Sequence, residues 1–146
     1  MKKEVFNALR WIVNILDKNK IPYKIGGGLA AHIYGSTRPV NDIDISLSGK
    51  YFSIIVPLVK EYVIAGPKYY KNEKWDCTTL SLNYNNQEID ITDSDTLLMS
   101  NKNNTSWIKN RNIYKKYPNV IFNLNGANVS LMHPRVLIEY KRELDG

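Results

Sequence analysis

The sequence is poor in the residues that build disulfides and zinc sites. It has one cysteine, Cys77, and two histidines among 146 residues. A single cysteine excludes an internal disulfide, and no cluster of cysteine and histidine is present that would indicate zinc. The chain also lacks repeats, low-complexity tracts and any apolar run long enough to cross a bilayer. These absences indicate a globular protein without a membrane span.

The N-terminal region does not have the pattern of a signal peptide. Met1, Lys2 and Lys3 could begin one, but Glu4 and Arg10 follow where an uninterrupted apolar segment is required. We therefore expect a cytoplasmic protein. Because single cores commonly organise about 100 to 200 residues, we also expect one domain over residues 1–146.

The charge balance is positive. Twenty Lys and Arg residues against fourteen Asp and Glu give a net charge of +6. Such a balance favours polyanionic partners, such as nucleotides or RNA, through long-range attraction. The abundance of Lys, Asn, Ile and Tyr can equally reflect the composition of an A/T-rich genome, so charge alone does not decide the partner.

Hydrophobic periodicity predicts an α+β fold with a short mixed β-sheet flanked by helices. Apolar residues at helical spacing predict an opening helix through residues 5–16 and a helical segment over 51–62, which Pro57 would kink or shorten. A short apolar strand at 21–25 ends in glycines, and a brief helix at 29–34 follows. Two predicted hairpins turn at Asn85-Asn86 and Asn125-Gly126. Pro134 begins a last helix that runs to about Leu144.

Two sequence features point to phosphate and metal chemistry. Consecutive glycines, Gly26, Gly27 and Gly28, would let backbone N–H groups approach phosphate oxygens at the start of a helix. The same glycines also suit a plain strand-to-helix turn. Asp42 and Asp44 alternate with Ile43 on a strand, so both carboxylates share a face. Two crowded carboxylates raise each other's pKa, and a divalent cation removes that conflict.

The order of these motifs resembles the nucleotidyltransferase superfamily typified by the polymerase beta catalytic core. Its pattern is an apolar strand, Gly-Gly, a short helix, Asp-x-Asp and a later Asp, which Gly26-Gly27, Asp42-Ile43-Asp44 and Asp90 match. The resemblance implies transfer of a nucleoside monophosphate from a nucleoside triphosphate, with ATP binding included. It implies that Asp42, Asp44 and Asp90 are catalytic residues that hold two magnesium ions, and that the glycines cradle the triphosphate.

The resemblance narrows to small bacterial members: the lincosamide-type antibiotic nucleotidyltransferases and the abortive-infection-type toxin enzymes. Gly27-Gly28-Leu29-Ala30, Arg38 and the 134–144 segment carry it. Relatives have a lysine on a late helix that contacts the nucleotide, and Lys141 matches its position. Arg38 is a second candidate for nucleotide binding, since a guanidinium before the Asp42 strand could reach a phosphate.

The acceptor stays open between a small molecule, such as an antibiotic, and RNA, as in toxin-like relatives that act on tRNA. Aromatic residues that stack on bases, and basic residues that contact phosphates, would indicate RNA, whereas a core aromatic set beside a solvated basic face is the alternative. The candidates are Tyr69, Tyr70, Trp75, Trp107, Tyr114, Lys109, Arg111, Lys115 and Lys116. Relatives often continue into a helical portion that forms the acceptor side, so a homodimer or a partner chain could complete this site. A non-catalytic nucleotide-binding protein with the same scaffold is the third alternative.

Overall fold

Over residues 1–145, which the computed structural model describes, five helices and nine strands make up the fold. In chain order the elements are α1 Lys3–Lys18, β1 Lys24–Gly26, α2 Gly27–Ile33, β2 Ile43–Leu47, α3 Phe52–Val59, β3 Val63–Lys71, β4 Trp75–Tyr84, β5 Gln87–Asp93, β6 Leu98–Ser100, β7 Trp107–Lys109, α4 Asn110–Tyr114, β8 Val120–Leu124, β9 Ala127–Leu131 and α5 Pro134–Asp145. Within these residues no helix is both long enough and apolar enough to cross a membrane.

All nine strands belong to one mixed sheet. Its order is β7-β6-β4-β5-β2-β1-β9-β8, and β3 lies off this path, paired with β4. The pairs β2/β5 and β1/β9 are parallel, and the other pairs are antiparallel. The predicted α+β fold with a mixed sheet and flanking helices is confirmed. Strands β3, β6 and β7 extend this sheet beyond the two hairpins that the sequence pattern predicts.

One face of the central strands forms the core. Ile43 and Ile45 of β2, and Ile89 and Ile91 of β5, are at most 1% exposed. Helix α1 packs against this region through its apolar stripe, and every predicted member of that stripe is buried. Because side chains alternate along a strand, the residues between these isoleucines project from the opposite face. The core therefore fixes which face carries Asp44 and Asp90.

Local backbone chemistry explains the hairpin turns and the interrupted helix. Asn85 and Asn86 have φ values of 48° and 70°, as a two-residue turn between antiparallel strands requires. Asn125 and Gly126 adopt the same left-handed region in the second hairpin. Helix α3 contains Pro57 and is flanked by 3-10 turns at Gly49–Tyr51 and Lys60–Tyr62. The predicted helical segment is thus present but divided.

Candidate active site

Two acidic side chains come from neighbouring positions on parallel strands. Asp44 of β2 is the direct partner of Asp90 of β5, and Ile43 and Ile45 are partnered in the same register by Ile89 and Ile91. Since the isoleucines are buried on the core face, both aspartates project from the other face. The structure therefore brings together two carboxylates that are 46 positions apart in the chain.

A glutamate that sequence reasoning missed joins this group. One carboxylate oxygen each from Asp42, Glu88 and Asp90 lie within 4.8 Å of one another. Glu88 precedes Asp90 by two residues, as Asp42 precedes Asp44, so the acidic-Ile-acidic pattern occurs within β5 and at the start of β2, which Asp42 directly precedes. That repeated pattern is the signal that could have identified Glu88. We call Asp42, Asp44, Glu88 and Asp90 the carboxylate cluster.

The pKa values of three carboxyl groups in the carboxylate cluster are raised. Burial, followed by the charges of Asp90 and Asp42, raises the pKa of Asp44 to about 6, while Lys141 opposes this rise. Burial and Asp90 raise the pKa of Asp42. For Glu88, the charge of Asp90 is the first cause of a raised pKa and burial is the second. A bound cation would stabilise the ionised cluster, because it would offset the repulsion among the carboxylates.

Gly27 is required by the way Asp44 approaches the bend after β1. Its φ is +57°, and a Cβ atom there would lie 2.1 Å from the Asp44 carboxylate oxygen Oδ2. At Gly26, a Cβ would lie 2.9 Å from the Met132 side chain, whereas at Gly28 nothing lies within 4 Å. Gly27 is therefore a packing requirement, whereas the flexible end of the Met132 side chain could move aside at Gly26. Gly28 leaves open space beside the cluster.

A cavity of about 360 Å³ lies above this bend. We call it the glycine cavity. It contains all three glycines, Asp44 and Lys141, and its remaining wall is largely aromatic and apolar. Other members include Ser46, Tyr70, Trp75, Cys77, Tyr114, Met132 and Tyr140. A depression of about 590 Å³ beside α1 is larger, but no residue of the carboxylate cluster lines it. The combination of three glycines, a carboxylate and a lysine makes the glycine cavity the better candidate for a ligand.

A second groove also reaches the cluster. It has a volume of about 280 Å³ and is lined by Lys68, Tyr70, Thr79, Ser81, Glu88, Asp90 and Thr92. We call it the hydroxyl groove. Ser81 donates a hydrogen bond of 2.8 Å to Asp90, which fixes that carboxylate at the groove. Tyr70 and Thr92 line both spaces, so the glycine cavity and the hydroxyl groove adjoin each other.

Arg38 and several of the aromatic and basic candidates for RNA binding lie away from the carboxylate cluster or take part in other contacts. Arg38 is exposed in the loop before β2, donates its backbone N–H to Ser36, and lines neither space. Tyr114 is buried, and Lys116 forms an ion pair with Glu139. Tyr69 and Trp107 are exposed, and Lys71 lies over the Trp107 ring at 5.2 Å from its centroid. Tyr114 is thus not available on the surface for stacking, and Tyr70 and Trp75 line the glycine cavity.

Solved structures share this fold, although no protein-family model and no curated protein matches the chain. A Thermotoga maritima protein provisionally named a nucleotidyltransferase matches with a TM-score of 0.77 at 16% identity, over 96% of this chain and 84% of its own. The antibiotic-resistance factor ANT(2'')-Ia in solution matches with a TM-score of 0.62 at 16% identity, over 98% of this chain and 75% of its own. The crystal structure of ANT(2'')-Ia in complex with adenylyl-2''-tobramycin matches with a TM-score of 0.59 at 16% identity, over 94% of this chain and 76% of its own. The resemblance read from the motifs is confirmed at the level of the fold.

Proposed function

We propose that the protein is a magnesium-dependent nucleotidyltransferase, which transfers a nucleoside monophosphate from a nucleoside triphosphate to a hydroxyl group of an acceptor. The observation that carries this proposal is the register of β2 and β5, which sets Asp44 beside Asp90 between the glycine cavity and the hydroxyl groove. The fold shared with nucleotidyltransferases supports it.

The carboxylate cluster has the chemistry of a magnesium site and comes close to its dimensions. Magnesium prefers oxygen ligands at about 2.0 to 2.1 Å, so oxygens of one shell are up to about 4.2 Å apart. The oxygens of Asp42, Glu88 and Asp90 spread over 4.8 Å, and small side-chain rotations would bring them into one shell. Asp44, beside this group, would contribute to a second ion. When bound, magnesium would neutralise phosphate charge and stabilise the leaving pyrophosphate.

The glycine cavity suits the triphosphate. Open space over Gly28 lets phosphate oxygens approach the backbone without a side chain in the way. Lys141 lies close enough to influence Asp44, and its ammonium would offset the charge that the phosphates bring. Tyr70, Trp75 and Tyr140 give the same cavity aromatic surface against which a base can pack.

The hydroxyl groove suits the acceptor because it ends at Asp90. An acceptor hydroxyl there would attack the α-phosphorus, forming a new O–P bond while the bond to the bridging oxygen breaks and pyrophosphate leaves. Asp90, held by Ser81, would accept the hydroxyl proton and pass it to solvent. Positioning of the two substrates on either side of the cluster would supply much of the acceleration.

The size of the hydroxyl groove favours a small acceptor. About 280 Å³ suits a compact molecule, and threonine, serine, lysine and carboxylate groups can bind its hydroxyl or amino substituents. The tobramycin adduct in one structure of the same fold suggests an antibiotic as a first acceptor to test, with ATP as donor. RNA is the second candidate, favoured by the net charge of +6 and by the exposed Lys71–Trp107 pair.

A label-transfer assay tests the proposal. The protein is incubated with each α-labelled nucleoside triphosphate, magnesium, and separate pools of small hydroxyl compounds and RNA. We expect label in the small-molecule fraction with release of pyrophosphate, and loss of transfer in Asp42→Asn. Glu61→Gln is the matched control, since Glu61 is an exposed acid outside the carboxylate cluster.

The location of the label separates the alternatives. Label only in RNA would support transfer but overturn the small acceptor. Label in neither fraction, with magnesium-dependent triphosphate binding intact, would indicate a binding protein that does not catalyse transfer.

A further inference from the structure

A third cavity, at the opposite end of β2 from Asp44, has an unusual polar lining. Its volume is about 330 Å³, and its polar lining residues include Lys24, Ser46, Ser48, Lys50, Ser94 and Asn119. No aspartate or glutamate lines it. We call it the lysine cavity. A space of this size, with two cations and several hydroxyl groups but no lining acid, has the chemistry of an anion site.

Lys24 is the central cation of this lining. It lies on β1 opposite Ser46 of β2, so both side chains project from the same face of the sheet. Lys24 is half-buried, and burial lowers its pKa. Its ammonium lies 5.0 Å from the centroid of the Tyr114 ring. Over residues 1–145 the one ion pair joins Lys116 and Glu139, so Lys24 has no acidic partner.

Asp93 and Asp95, the acids on either side of the lining residue Ser94, already accept hydrogen bonds from other donors. Ser48 donates its hydroxyl to Asp95, and the backbone N–H of Gly49 donates to Asp93 over 2.8 Å. Asp93 also accepts a hydrogen bond from the Thr96 hydroxyl at 2.8 Å. These carboxylates organise the loops after β2 and β5. Neither forms an ion pair with Lys24.

The lysine cavity is next to the glycine cavity but distinct from it. Ser46 lines both, and Tyr114, which lines the glycine cavity, lies beneath the Lys24 ammonium. None of the three glycines and none of the carboxylate cluster lines the lysine cavity. A ligand here would therefore not occupy the space that we assign to the triphosphate.

We propose that the lysine cavity binds the phosphate group of a small phosphorylated molecule. A phosphate presents several acceptor oxygens at once, which matches the two ammonium groups of Lys24 and Lys50 and the Ser94 hydroxyl better than the single plane of a carboxylate does. The volume admits a phosphate together with a small organic group. Inorganic phosphate and a sugar phosphate share this chemistry, and they are separated by the experiment.

The test uses backbone NMR on the full-length protein with chelator present, so that magnesium-dependent binding at the carboxylate cluster is suppressed. Inorganic phosphate and ribose 5-phosphate are titrated separately. We expect the amides of Ser48 and Ser94 to shift, and we expect Lys24→Met to weaken binding at least about 10-fold through loss of a charged hydrogen bond. A lower dissociation constant for ribose 5-phosphate would show that the organic group contributes, and equal constants would assign the site to phosphate alone.

Three further variants make the result decisive. Lys50→Met, at an exposed position, should also weaken binding, and it guards against a folding defect of Lys24→Met. Lys102→Met, an exposed lysine elsewhere, should change nothing. Lys141→Met should leave binding intact, since Lys141 lines the glycine cavity. Binding that Lys141→Met abolishes while Lys24→Met and Lys50→Met do not, or no saturable binding up to about 10 mM, would overturn the proposal.

Discussion

Asp44 and Asp90 are direct partners across the parallel pair β2/β5, and both side chains project from the face opposite the isoleucine core. Parallel pairing in this register also aligns the two acidic-Ile-acidic segments along their length. The burial of Ile43, Ile45, Ile89 and Ile91 thus determines where the acids lie. A slip of one residue would turn the carboxylates into the core, so the packing that stabilises the sheet also specifies the site.

Replacing Asp90 with asparagine should abolish most nucleotidyl transfer. The change removes a cation ligand and the proposed proton acceptor while leaving the size of the side chain nearly unchanged. We expect a decrease in kcat of at least about 100-fold, the effect commonly seen when one preorganised electrostatic group is removed from an active site. Label transfer measures this loss, and thermal unfolding checks the fold. Activity within a few-fold of wild type would exclude Asp90 from both roles.

Glu88→Gln should weaken magnesium binding more than it impairs removal of the proton from the acceptor hydroxyl. Glu88 contributes one of the three close carboxylate oxygens. We expect the magnesium concentration for half-maximal transfer to rise about 10-fold or more, in the range seen when groups supporting a metal are lost. At saturating magnesium, kcat should recover much of its wild-type value. An unchanged magnesium dependence would place Glu88 outside the metal site and leave it as an acceptor contact.

Gly27→Ala and Gly28→Ala form a matched pair. At Gly27 a methyl group meets the Asp44 carboxylate and the left-handed φ is unfavourable, so we expect a loss of about 1 to 2 kcal/mol in the free energy of unfolding. At Gly28 nothing obstructs the methyl group, so stability should be kept. If phosphates approach Gly28, the affinity of the Gly28→Ala variant for the triphosphate should nevertheless fall. Equal stability of the two variants in chemical denaturation would contradict the strained bend.

The stability of the metal-free protein should depend on Asp44. Its pKa is raised from 3.8 to about 6 in the folded chain, so the folded state binds this proton more tightly than the unfolded state. The resulting stabilisation is full below about pH 4 and is lost as the pH rises to about 6. As the pH rises across this interval, the wild type should therefore lose stability that the Asp44→Asn variant keeps. Urea unfolding in chelator measures the difference, and parallel pH curves for the two proteins would refute it.

Much of the fold could be predicted because local patterns and packing agree. The α1 stripe, both hairpins, the glycine bend and α5 are present where periodicity and turn residues place them. Strand β3 was missed because it lies at an edge and is almost entirely exposed, so it has no clean alternation. Gly66 also interrupts it at a register shift, where a Cβ would lie 2.3 Å from the Thr79 carbonyl oxygen.

Parts of the candidate site could not be predicted from the sequence. Strand alternation predicts that Asp42 and Asp44 share a face, but the partner register that brings Glu88 to them depends on non-local pairing. The hydroxyl groove depends on β3, which supplies Lys68 and Tyr70, and it could not be predicted without that strand. Arg38 was chosen for its nearness to Asp42 along the chain, yet it is exposed and lines neither space.

The central claim is that the carboxylate cluster holds a divalent cation together with a nucleoside triphosphate. Crystals grown with manganese and a non-hydrolysable ATP analogue test this directly, because manganese scatters anomalously and replaces magnesium at oxygen sites. We predict an anomalous peak among Asp42, Glu88 and Asp90, with the triphosphate in the glycine cavity beside Gly28 and Lys141. A bound analogue whose phosphates lie elsewhere, with no peak at these carboxylates, would contradict the account.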